Sequence, residues 1–195
     1  MATEQQGAGP NLVAMYERAL DGAQRLVGSV QPDELTKPTP CSEWDVRALI
    51  THMIGTNTRF AAALAGEQGA AATTTPSAAD DLKAAYAASA QAARAAWRAP
   101  GALERVLHMP FGEMPGSAAV AVILTDQLIH TWDLAKALNR DYRLDEDLAA
   151  TALEFSRQRI GPDRRGPGKP FAAEVACASD APVQDRLAAF MGRQP

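Results

Sequence analysis

The segment from Ser117 to Asn139 constrains this chain more than any other. Apolar residues occupy nearly every side of it: Val120, Leu124, Leu128, Ala135 and Leu138 on one face, with Val122, Ile123 and Ile129 flanking the other. A helix apolar on almost all sides is a buried one, so this element belongs at the centre of the fold. Yet it carries Asp126, His130 and Asp133. At 100° per residue, with Asp126 at zero, His130 falls at about 40° and Asp133 at about 340°, on one stripe. Charged groups inside an apolar wall cost several kcal/mol each unless paired, and a cation satisfies a carboxylate and an imidazole together. The plain alternative is an intrahelical ion pair worth about 0.2–0.5 kcal/mol.

The other elements follow from 3- and 4-residue spacings and their breakers. Asn11 caps a first helix through Val13, Tyr16, Leu20, Ala23 and Val27 to Gly28, and Asp45 caps a second from Val46 to near Gly66. Ser77 with Asp80 opens a third through Leu82, Tyr86 and Trp97, stopped by Pro100-Gly101, after a Gly/Ala/Thr loop over Glu67 to Thr75. Ser117 is read as the cap of the fourth helix, and Asp145 as the cap of a fifth to Ile160. A short last helix runs from about Pro182 to Met191, and Val106 to Met114, broken by Pro110 and Gly112, reads as two short extended segments. The expectation is an all-α four-helix bundle with short extra helices and a small β-hairpin, one domain over 1–195.

Composition excludes several functions. Lys+Arg 19 against Asp+Glu 23 gives net charge −4, the wrong sign for holding DNA, RNA or an anionic membrane. The longest apolar run, Ala118 to Leu124, is too short to span a bilayer, and the N-terminus lacks a leader pattern. Two distant cysteines, Cys41 and Cys177, make no disulfide framework or CxxC site, which fits a cytoplasmic protein.

Helix two offers a third donor. His52 sits at the margin of its apolar face, with Thr56 and Arg59 on the same side. Two imidazoles and one carboxylate leave open positions on zinc, and the same set, facially arranged, suits non-haem iron. Asp133 is read either as the partner that orients His130 or as a surface group paired with Lys136 or Arg140, with the latter preferred. Trp44 and Trp132 are read as packing, Cys41 as structural, His108 as a residue of a solvated strand edge, and Arg164, Arg165 and Lys169 as a solvated loop.

Two motifs carry a resemblance. Pro38-Thr39-Pro40-Cys41-Ser42-Glu43-Trp44-Asp45-Val46-Arg47-Ala48-Leu49-Ile50-Thr51-His52 and Leu124-Thr125-Asp126-Gln127-Leu128-Ile129-His130-Thr131-Trp132-Asp133 resemble the mycothiol-dependent maleylpyruvate isomerase N-terminal family, within the DinB-like superfamily. The ending from Ala181 to Arg193 is similar to a single-domain actinobacterial branch of metal-binding proteins. The resemblance implies a DinB-like bundle without the isomerase's additional C-terminal domain. It also implies a divalent metal, usually zinc and sometimes nickel, on His52, Asp126 and His130, with aspartate where the isomerase has glutamate. It brings in mycothiol as the thiol. The expected function is a metal-dependent thiol S-transferase or isomerase acting on a small electrophile, with Arg59 gripping a substrate carboxylate. The alternatives are a thiol-independent Lewis-acid hydrolase, lyase or cyclase, and a non-catalytic metal-binding module. Homodimerisation stays open.

Overall fold

The computed structural model describes residues 11–67, 78–109 and 112–195. Among the described residues the α-helices and the hairpin are, in chain order, α1 (Leu12–Gly28), α2 (Val46–Leu64), α3 (Ala79–Arg98), β1 (Val106–Met109), β2 (Gly112–Pro115), α4 (Gly116–Ala137), α5 (Glu146–Arg159) and α6 (Val183–Phe190). Helix α1 packs on α4 and α3, and α2 packs on α3 and α4, which closes a ring of four helices. Helices α5 and α6 pack against each other and on α4. Helix α4 is therefore central, as its all-round apolarity requires; Val120, Ile123, Leu124 and Leu134 are 0–1% exposed. Tyr16, Leu49, Ile50, Leu82 and Tyr86 fill the interior from the other three helices. This is the all-α bundle that the spacing implies.

Local rules account for most ends. Asn11 Oδ1 accepts from Ala14 N at 3.1 Å and Asp45 Oδ1 from Ala48 N at 2.8 Å, each satisfying one amide that the helix leaves unpaired. The hairpin pairs Val106 with Pro115, Leu107 with Met114 and His108 with Glu113, and among its described residues Leu107 and Met109 are buried. His108 is largely exposed there, its Nδ1 2.9 Å from Glu113 Oε1.

Two caps differ from expectation. Helix α4 begins at Gly116 after Pro115, so Ser117 lies inside the first turn, its amide bonded to Leu103 O. A side chain at Gly116 would strike the Ala102 carbonyl; glycine lets the hairpin enter the helix against that loop. Asp145 precedes α5 but gives its carboxylate to Arg18, at 2.7 Å, instead of capping. Short 3-10 turns at Pro32–Glu34 and Pro162–Arg164 were not read from the sequence. The Ser77 cap, most of the Gly/Ala/Thr loop and the hairpin residues Pro110 and Phe111 lie outside the described residues.

Candidate functional site

Helices α2 and α4 bring His52, Asp126 and His130 together. Asp126 Oδ1 lies 3.3 Å from His52 Nε2 and 3.5 Å from His130 Nε2. One donor atom from each residue falls within 4.8 Å of the others. Donors placed about 2.0–2.1 Å from a tetrahedral ion stand about 3.3–3.4 Å apart, so the two measured separations match the edges of such a polyhedron. The donor set fits a divalent cation.

The electrostatics agree with an unmet need for positive charge. Burial pushes the Asp126 carboxyl up, but the facing His130 charge, with hydrogen bonds from His130 and His52, outweighs it and holds the group below the ordinary carboxylate range. Burial likewise opposes charge on His130; Asp126, Asp133 and Cys41 overcome it and raise the imidazole well above its usual value.

Asp133 is fully buried, and its Oδ2 lies 3.0 Å from His130 Nδ1. A carboxylate only accepts, so His130 donates from Nδ1 and turns its Nε2 toward Asp126. The preferred surface reading of Asp133 is corrected: Lys136 lies over the Trp132 ring and Arg140 pairs with Glu34. Apolar packing on both sides of the stripe draws Asp133 inside, where Arg193 meets it through Nε at 3.2 Å and Nη2 at 2.9 Å. Burial raises the Asp133 carboxyl, and these His130 and Arg193 bonds bring it net downward.

Arg193 was missed, because a residue past the last helix carries no periodic signal. Its placement depends on Gly192, which adopts φ 82° while Arg193 N bonds to Ala188 O and Gly192 N to Ala189 O. That is a Schellman end, open at low cost to glycine, and it turns the arginine inward. The Met191-Gly192 pair was the available signal.

Cys41 and Trp44 sit in the proline-rich loop before α2, which Thr39 closes by donating to the Trp44 and Cys41 carbonyls at 2.8 and 3.1 Å. Cys41 Sγ is 3.2 Å from Asp133 Oδ2, 3.0 Å from Arg193 Nη2 and 4.0 Å from His130 Nδ1. Cys41, His130 and Asp133 thereby form a second donor group. Trp44 is more than packing: its ring centroid stands 4.5 Å from that of His52 and 5.5 Å from that of His130, roofing both imidazoles. Thr56 Oγ1 lies 3.4 Å from His52 Nε2.

A cavity of about 310 Å³ opens beside Asp126 and His130, between α4, α5 and the segment leading to α6. Arg59, part-exposed on α2, is not among the residues that line this cavity. In the loop read as solvated, Arg164 and Lys169 are exposed but Arg165 is held inward. Arg165 donates to the Phe190 carbonyl at 2.7 Å and stacks on the Phe190 ring, pinning α6. No helix among the described residues is long and apolar enough to cross a membrane.

The family model described as the mycothiol maleylpyruvate isomerase N-terminal domain matches residues 16–135, a span that holds all three converging donors. Two uncharacterized proteins from two strains of Mycobacterium tuberculosis are each 40% identical over 178 residues, covering 91% of this chain and 95% of the relative. Two crystal structures of the mycothiol-dependent maleylpyruvate isomerase, one of them a histidine-to-alanine mutant, share the fold. Their TM-scores are 0.60 and 0.63 at 16% and 15% identity, covering 80% of this chain and 70% of theirs.

Proposed function

Because the chain belongs to the mycothiol maleylpyruvate isomerase N-terminal domain family, we propose that it is a divalent-metal-dependent thiol S-transferase or isomerase. Its thiol is mycothiol or a similar low-molecular-weight thiol, and its substrate a small electrophile. The observation that carries this reading is the convergence of His52 Nε2, Asp126 Oδ1 and His130 Nε2 on one point. Three protein donors leave a zinc ion open positions for a further ligand, whereas structural zinc is closed by four. Nickel or ferrous iron suits the same donors.

A divalent ion held there supplies the positive charge that favours a thiolate over a thiol whose free pKa is near 8.5. The chain's own residues do the rest. Asp133 fixes the His130 tautomer so that Nε2 faces the site, Arg193 neutralises Asp133, and Trp44 covers the imidazoles and limits water. Addition of the thiolate to an activated carbon–carbon double bond would break its π bond and leave a stabilised carbanion; protonation of that carbanion gives an S-conjugate, whereas rotation followed by expulsion of the same thiolate restores the double bond in the isomerised geometry and frees the thiol cofactor.

Metal analysis of protein purified without chelator, beside His130→Ala, tests the site. About one divalent ion per chain, lost on substitution, is expected. Conjugation above the spontaneous rate that needs both ion and thiol supports the transferase reading. Turnover that persists without thiol would move the assignment to Lewis-acid chemistry at the same residues.

A further inference from the structure

Cys41 Sγ, His130 Nδ1 and Asp133 Oδ2 converge at the other nitrogen of the His130 ring from the one that faces Asp126. Donors about 2.0–2.3 Å from a tetrahedral zinc ion stand about 3.3–3.6 Å apart. The sulfur lies 3.2 Å from the carboxylate oxygen and 4.0 Å from the ring nitrogen, and those two are 3.0 Å apart, so the separations lie around that range. One sulfur, one nitrogen and one oxygen are also a donor set that zinc and cobalt accept. In spacing and donor type this group rivals the first.

What separates the two groups is the cation that the chain itself supplies. Asp126 is faced by two imidazoles, whereas Asp133 is faced by one imidazole and the Arg193 guanidinium. Arg193 Nη2 stands 3.0 Å from Cys41 Sγ and 2.9 Å from Asp133 Oδ2, touching two of the three donors at once. Its Nε bond to Asp133 Oδ1 and its Nη1 bond to the Met191 carbonyl, at 2.8 Å, fix the fork in that position. Gly192 commits the backbone to the same arrangement, since a side chain there would strike Ala172.

We infer that Cys41, His130 and Asp133 are a masked metal site and that Arg193 is the specificity-determining residue that masks it, keeping a second ion out. A guanidinium stays charged at any working pH and leaves the Cys41 thiol and the His130 Nδ1 proton in place. An ion there would displace both protons to solvent and tie His130 to metal through its second nitrogen. Without Arg193, fully buried Asp133 would keep a charge that His130 alone faces, and that deficit draws in a cation. The mask rests on the geometry of the second group; that the ion goes instead to His52, Asp126 and His130 rests on the function proposed above.

The test loads the full chain, stripped with chelator, with excess cobalt(II). A cobalt–thiolate bond absorbs strongly in the near ultraviolet, and nitrogen and oxygen donors give no such band. The unsubstituted protein should take up cobalt without the band. Arg193→Met should show it and hold about two ions per chain in place of about one. Arg193→Gln, also neutral, gives the same reading should the methionine variant lose its helical circular-dichroism spectrum. Adding Cys41→Ser should remove the band. A sulfur band in the unsubstituted protein overturns the inference, as does its absence from a folded neutral variant or its survival without Cys41, which would assign it to Cys177. Adding Asp126→Ala to Arg193→Met separates the two readings. The band should persist there, so a first site that binds nothing leaves the mask standing, and a missing band leaves the first site untouched.

Discussion

His52 and Asn57 lie little more than one turn apart on α2, and each meets polar partners on other helices, with opposite results. Asn57, 1% exposed, accepts from Tyr16 Oη at 2.7 Å and donates to Ser89 Oγ at 3.3 Å, which in turn donates to the Tyr86 carbonyl. Each of these contacts sets a donor against an acceptor, all neutral. Around His52 two imidazole nitrogens converge on one carboxylate oxygen, a titratable set whose charge is balanced by protons or by a cation. A neutral network locks helices together, while a titratable set of metal donors can exchange protons for something from outside. Burial is common to both; charge separates them.

The sharpest way to break this contrast is to delete a converging donor. Asp126→Ala should abolish stoichiometric metal binding, read by elemental analysis, and leave the helical circular-dichroism spectrum unchanged; retained metal would mean that the ion sits elsewhere. Tyr16→Phe should do the reverse. It strands a buried Asn57 acceptor and should cost about 1–3 kcal/mol in urea unfolding, with metal content intact. Asp133→Asn should lower metal affinity about 10- to 100-fold in a chelator competition, because one neutral amide oxygen replaces the charged carboxylate that His130 and Arg193 share.

A pH series sharpens the comparison further. The His130 pKa is raised, so in metal-free protein its charged form contributes stability that is complete below about pH 6.5 and fades as pH rises through the elevated folded value. Zinc competes with that proton, so the rise in melting temperature on adding zinc should grow over the same range. A zinc effect that shrinks with pH would exclude His130 Nε2 as a donor. The smallest effect belongs to Arg59→Ala, expected within about 0.5 kcal/mol in stability and without consequence for metal content.

Much of the bundle was legible because its signals are local. Asn11 and Asp45 cap the helices they precede, the spacing of Val13 to Val27 gives α1, and the breaker pair Pro100-Gly101 ends α3. Of the site, Asp126 and His130 were legible as one stripe on one helix, and Asp133 as its continuation, though its depth was underestimated. The helix wheel records angle and not what lies above the stripe. Trp44 and Cys41 belong to a loop whose shape depends on Thr39 hydrogen bonds, and Arg193 on a left-handed glycine after α6, so neither register nor hydrophobicity marked them. Ser117 misled because a serine ahead of an apolar run resembles a cap wherever the helix starts; the hairpin delivers the chain to Gly116 first.

The sequence by itself determined where the helices run, that α4 must be enclosed, and that a carboxylate and an imidazole share one of its faces, since these depend on spacings of three and four residues along a single chain. Only the tertiary structure decided that His52 Nε2 reaches Asp126 and that Arg193 closes over Asp133. Those are distances between helices and loops far apart in the chain, set by how α2, α5 and α6 pack on α4, and the identity of neighbouring residues carries no information about them.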